Sequence, residues 1–229
     1  MNLSHSIVHT ISILIRGELG RWGCSLRAHE HQKAVLQSID DHIAKPLLPL
    51  RSKGYLLVSL TSEELTCAVW KHYEIQQQWK YITLQHLEFK RTSSQQHSAQ
   101  IAISFMSRRL AGTTVVFTRA DLYLKTPISM WGCSVKHGGA IGVSQHVVVN
   151  PLNRVRSANE SNDVINDVLF VIPSAFVTTF DFKECRPNGN FHSCEKTLSS
   201  IAPLEFCWPR NTKLVRCPNK YYVRTAAVQ

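Results

Sequence analysis

Gly112–Trp131, GTTVVFTRADLYLKTPISMW, is a Gly-Thr strand that runs into Pro-x-x-x-Trp, the most informative stretch of the chain. It follows a strand–helix–strand opening: Ile7–Gly17 (IVHTISILIRG), a helix over about Leu26–Ile43, and the apolar run Gly54–Leu60 (GYLLVSL). In the first strand Ile7, Ile11, Ile13 and Ile15 share one face with His9, while Ser12 and Arg16 take the other. A one-sided apolar face must be covered. Val35, Leu36, Ile39 and Ile43 recur at helical spacing and answer that need, with Glu30, Lys33, Asp40 and Asp41 turned outward. Pro46 stops that helix.

Thr61-Ser62-Glu63-Glu64 reads as a capping box opening a second helix that runs to about Gln78. From Trp79 onward the pattern predicts strands over Tyr81–Lys90, Ala99–Arg108, Thr113–Leu124 and Gly139–Val149. A strongly apolar strand pair, Val164–Ile172 and Ala175–Phe182, comes after a polar, Asn-rich stretch. The expectation is α+β: a mainly antiparallel β-sheet with two packed helices near the N-terminus and a basic, β-rich C-terminal extension. Residues 1–150 are read as the α+β core, 151–163 as a loop or linker, and 164–229 as the Cys-containing extension.

The 229 residues suffice for one sizeable core, and 44% hydrophobic with 18% charged residues is a globular composition. A net charge of +10 points to an acidic partner, nucleic-acid phosphate or anionic lipid headgroups. The tail from 183 onward carries eight Lys/Arg against three Glu. The longest apolar stretch, Val168–Val177, is too short to cross a bilayer, so membrane contact is expected to be peripheral. The N-terminus has no basic n-region or cleavage site, so secretion is not expected and the seven cysteines are read as reduced thiols.

No enzyme motif emerges. His29 and His31 are two positions apart on a helix, about 200° around its axis, and cannot chelate one ion. Ser144 lacks the second glycine of a nucleophile elbow. Gly138-Gly139-Ala140-Ile141-Gly142 lacks the Lys-Ser/Thr of a phosphate loop. Cys185, Cys194, Cys207 and Cys217 crowd the tail without zinc-knuckle spacing. The expectation is therefore no catalytic residue, no metal and no cofactor.

Binding features are richer. Lys90-Arg91 and Arg108-Arg109 are basic pairs at strand ends, and Arg154 and Arg156 lie in the linker. In the tail Arg210, Lys213, Arg216, Lys220 and Arg224 interleave with Trp208, Tyr221 and Tyr222, cations for phosphate with aromatics for bases or a headgroup interface.

The order TISILIRGEL (Thr10–Leu19), HQKAVLQSIDDHI (His31–Ile43), KGYLLVSL (Lys53–Leu60) and Gly112–Trp131 resembles the matrix proteins of rhabdoviruses, over about residues 7–135. Without a long basic N-terminal arm or a Pro-Pro-x-Tyr motif, it is closest to the plant-infecting type. The resemblance implies a virion structural protein that self-associates, condenses the viral nucleocapsid and bridges it to the inner face of an anionic membrane. It further implies a location in the virion and in host cytoplasm or nucleus, and no small-molecule substrate. The alternative is a plant-virus movement-type or RNA-binding protein with a β-barrel core.

Overall fold

The first strand, β1 (Thr10–Gly17), is buried on both faces rather than one. That double burial is the mark of a parallel sheet covered by helices on either side. The computed structural model describes residues 10–19, 25–48, 51–60, 70–130, 147–151, 164–181, 193–194, 204–206 and 222–224. In it β1 pairs in parallel with β2 (Arg51–Leu60) on one side and with β4 (Thr114–Arg119) on the other. Beyond β2 lies β3 (Ile82–Arg91), again parallel. The antiparallel strands sit on the far side of β4: β7 (Val164–Ile172) pairs with β4 and with β6 (Val147–Pro151). The order along the sheet is β3-β2-β1-β4-β7-β6-β9, with β9 at Leu204–Phe206 and the short β8 (Ser193–Cys194) paired to β7.

This overturns the expected mainly antiparallel sheet. The four strands that carry the core are parallel, each joined to the next by a crossover. From β1 the chain steps outward to β2 and β3, then returns to the other side of β1 as β4. That reversal is the topological switch of a doubly wound α/β sheet.

The first crossover helix is α1 (Leu26–Ile39), opened by Ser25, whose hydroxyl accepts from the Ala28 amide at 3.1 Å. It continues through a π-helical turn, Asp40–Ala44, and a 3₁₀ turn that contains Pro46. Val35, Leu36, Ile39 and Ile43 bury against Ile11, Ile13 and Ile15 of β1, as the spacing predicts. The opposite face of β1, which the alternation left to Ser12 and Arg16, is a second core. Leu14 packs there with Leu57, Val115 and Phe117 beneath the helix α3 (Gln95–Arg109). Ser12 is covered too, and its hydroxyl meets that of Thr113 at 3.0 Å.

Helix α3 occupies the whole of the stretch read as the strand Ala99–Arg108. Ile101, Ile103 and Phe105 alternate like a strand, but the buried set is Ser98, Ala99, Ala102, Ile103, Phe105 and Met106, one face of a helix. The second helix, α2, is shorter than expected, His72–Gln77, and the Thr61 box lies outside the described residues. Glu74 takes the capping role, accepting from the Lys71 amide at 2.7 Å. Ala175–Phe182 is not a strand either: Ser174–Phe176 is a 3₁₀ turn whose neighbours Val177 and Phe180 pack on Phe170.

Between β2 and β3 the register shifts at Gly54/Tyr55. A Cβ on Gly54 would stand 2.6 Å from Ile82 Cγ2 and 2.9 Å from Trp79 Cζ3, so only glycine lets the backbone approach these side chains. Among the described residues no helix is long and apolar enough to cross a membrane.

Candidate active-site cleft

A doubly wound sheet opens a crevice where its strands diverge at their carboxyl ends, and here a cleft of about 90 Å³ fills that position. That is several times the space one water needs. Arg16, Gly17 and Glu18 form its floor at the end of β1. Ser59 comes from the end of β2, and Arg119 and Asp121 from the end of β4. The far wall is the β3–α3 loop, Thr92 to Gln95, with Ser98 from the first turn of α3.

Local geometry explains each placement. Gly17 adopts φ +120°, a region strained for any other residue, which turns the chain out of β1. The Ala120 amide donates to the Arg16 carbonyl at 2.8 Å, tying the ends of β1 and β4 together. From behind, α1 pins the same turn: Gln32 Nε2 donates to the Ala120 carbonyl at 3.2 Å. The Ser38 hydroxyl donates to the Val35 carbonyl at 2.7 Å and accepts from the Leu124 amide at 3.0 Å. Leu124 ends β5 (Leu122–Leu124), the short strand that leaves the cleft. Across the opening the Ser59 and Ser98 hydroxyls meet at 2.6 Å, joining β2 to α3.

Charge in the cleft is buried and paired. Arg119 grips Asp121 with both arms of its guanidinium, Nε to Oδ1 at 2.8 Å and Nη2 to Oδ2 at 2.6 Å. Both side chains are almost wholly buried, at 4% and 6% exposed. Arg16 is buried as well, its guanidinium carbon 5.7 Å from the centre of the Phe117 ring. The charged lining residues are two arginines and two carboxylates, a formal sum of zero. Ser94 caps α3 by accepting from the His97 amide at 3.1 Å. This fifteen-residue helix therefore brings the positive end of its dipole to the cleft. Such a site can hold an anionic group against a fixed dipole and two guanidinium groups.

The basic residues nominated from sequence are elsewhere. Lys90 and Arg91 end β3 and are exposed on the cleft's side of the sheet, but they do not line it. Lys90 reaches Glu88 at 2.9 Å and, with His86, holds that carboxyl below its usual range. Arg108 and Arg109 are exposed at the far end of α3, opposite the cleft. Arg154, Arg156, Trp208, Arg210, Lys213, Arg216, Lys220 and Tyr221 lie outside the described residues. Tyr222 and Arg224 belong to β10 (Tyr222–Arg224), which pairs antiparallel with β5. Arg16, Glu18, Ser94, Arg119 and Asp121 were not among the nominated residues. Their signal is the pair of strand ends Arg16-Gly17-Glu18 and Arg119-Ala120-Asp121, polar breaks closing runs of apolar residues. Among the described residues no three His, Cys, Asp or Glu side chains gather as a metal site.

No family model matches the chain, and no curated protein matches it. Solved structures do align with it. One is the galactosyltransferase LgtC in complex with donor and acceptor sugar analogues, at 10% identity and a TM-score of 0.48, over 92% of this chain and 83% of that one. Another is HddC from Yersinia pseudotuberculosis, at 8% identity and 0.44, over 86% and 89%. A third is the apo form of the glycosyltransferase GlyE of Streptococcus pneumoniae TIGR4, at 8% and 0.37, over 75% of this chain and 36% of that one. At these scores the likeness carries no argument about what this chain does.

The matrix-protein resemblance does not survive. The stretches quoted for the resemblance form a parallel β1–α1–β2 unit with β4 beside it, part of a doubly wound sheet and not a mainly antiparallel one. With it fall the virion function, the nucleocapsid and membrane partners, and self-association as the mode of action. The movement-type or RNA-binding β-barrel falls too, since the described strands form an open sheet. The expectations of no enzyme and no small-molecule substrate are likewise overturned: they rested on missing motifs, whereas the cleft is assembled by strand ends far apart in sequence.

Proposed function

We propose that this chain is a sugar-transfer enzyme whose cleft holds the phosphate of a nucleotide-linked sugar. The observation that carries the reading is the cleft itself. It lies at the carboxyl edge of the parallel strands, at the switch point, with buried arginines and the amino end of α3 around it. The sugar chemistry is the class named for LgtC, which was solved with donor and acceptor sugar analogues; the phosphate is argued from the cleft alone.

The reaction breaks the bond between the sugar's anomeric carbon and a phosphate oxygen. It forms a bond from that carbon to an acceptor hydroxyl oxygen, which releases its proton. Negative charge grows on the departing phosphate. The dipole of α3 and the Arg16 and Arg119 guanidiniums are fixed before the step and would favour that charge.

Thermal unfolding with a panel of nucleoside diphosphates and nucleotide-linked sugars tests the reading. One base class, present at about 100 times its dissociation constant, is expected to stabilise the fold by about 2.7 kcal/mol and raise the midpoint by roughly 5–10 °C. The same ligand in its sugar-linked form, mixed with acceptor sugars, is expected to release free nucleoside diphosphate. A flat panel, with no midpoint moving, contradicts the proposal.

A further inference from the structure

A phosphate group brings negative charge that its site must meet, either with a divalent cation or with fixed protein cations and dipoles. Mg²⁺ at a nucleotide site demands near-octahedral geometry and rests on one or two carboxylates besides the phosphate oxygens. The donor set of a cleft therefore says which solution it uses.

Two carboxylates line this cleft, Glu18 and Asp121. Asp121 is committed elsewhere. Arg119 Nε reaches its Oδ1 at 2.8 Å and Nη2 reaches its Oδ2 at 2.6 Å, so both oxygens already carry a cation. The pair is packed rather than solvated, and its backbone is held as well. Ala120, between the two, donates to the Arg16 carbonyl and accepts from Gln32. A metal ion drawn to Asp121 would stand against the Arg119 guanidinium, with little water to screen the repulsion. Glu18 follows the buried Arg16 by two residues. No third His, Cys, Asp or Glu side chain gathers with these two among the described residues. The opposite wall, Thr92 to Gln95 with Ser98, brings hydroxyls and the amino end of α3, which suit phosphate oxygens directly.

On the phosphate reading above, we infer that the cleft takes its ligand as the free anion, without a divalent cation. The Arg119–Asp121 pair stands where a metal would be held, and guanidinium and helix dipole meet the charge. Mg²⁺ and the cleft then compete for the same phosphate oxygens, and the carboxylate of Glu18 opposes the ligand instead of helping to hold it.

Calorimetric titration of the full chain with inorganic pyrophosphate tests it, with EDTA or with Mg²⁺ in excess, using wild type and E18Q. Thermal midpoints are recorded in parallel. Wild type is expected to bind at least as tightly with EDTA as with Mg²⁺. With EDTA, E18Q is expected to bind roughly three to ten times more tightly than wild type, because one like charge is removed. An affinity about tenfold or more higher with Mg²⁺ overturns the inference and leaves the phosphate reading intact. Weaker binding by E18Q at an unchanged midpoint makes Glu18 part of the ligand's hold and also overturns it. No pyrophosphate binding by wild type in either condition overturns the phosphate reading, and this inference with it.

Discussion

Replacing Asp121 with alanine is expected to destabilise the protein by about 3–5 kcal/mol, because it removes the bidentate carboxylate from a buried guanidinium. The two contacts, 2.8 and 2.6 Å, are bidentate and almost dry, so solvent screening does little to soften the loss. The double replacement R119M/D121L removes both charges together and is expected to cost far less than either single change. Denaturant unfolding of the two single variants and the double variant completes the cycle. Single variants within 0.5 kcal/mol of wild type, a threshold of about the scatter seen for surface changes, would show that the pair is not buried as described. Function separates from stability here. The double variant keeps the fold but has exchanged two charged lining residues for apolar ones, and it is expected to lose phosphate binding.

The second large effect is at Asp40. Its carboxylate accepts from the Lys80 amide at 2.7 Å and from the Tyr81 amide at 2.9 Å, fixing the turn into β3 from the π-helical turn after α1. Alanine would leave those donors unmet, at about 1–3 kcal/mol each, and a net loss of about 3 kcal/mol is expected. Burial pushes this carboxyl above its ordinary value, against the backbone hydrogen bonds that favour the charged form. The sign follows. A carboxyl whose folded pKa lies above the unfolded one adds stability that is fully present below the unfolded value. That contribution is lost as pH rises through the folded value. D40N does not titrate, so the advantage of wild type over D40N is expected to be greatest in acid and to narrow toward neutrality. Parallel unfolding curves from pH 3 to 7 read it directly, and a gap that widens with pH contradicts the assignment.

Much of the fold was legible in the residues. The β1–α1–β2 opening, β3 and β7 fall where the apolar patterns put them, to within a few residues. What misled was the other face of β1. Ser12 and Arg16 look like solvent-facing positions, and that reading removes any need for a second helical layer. Yet Ser12 is satisfied by Thr113 and Arg16 lies over Phe117, so polar residues sit comfortably under α3. The missing layer was then compounded by the period-2 run Ile101, Ile103, Phe105, which outvoted Ala99, Ala102 and Met106. Ser94, the N-cap five residues before the stripe that starts at Ala99, is the signal that corrects it.

The site was less legible, for a physical reason. A motif search looks for chemistry concentrated in one segment, but this cleft draws on β1, β2, the β3–α3 loop and β4, brought together only when the strands are known to be parallel. Clusters of exposed cations are easy to see in a sequence and drew attention away from arginines that the fold buries.

Backbone amide shifts followed through a titration with a nucleoside diphosphate would locate the bound phosphate residue by residue. Changes are expected only at Gly17 and Glu18, Thr92 to Gln95, and Asp121 with its neighbour Leu122. Shifts absent there and gathered instead around Arg108 and Arg109 would contradict it, returning the molecule to a binder of polyanions through its exposed basic surface.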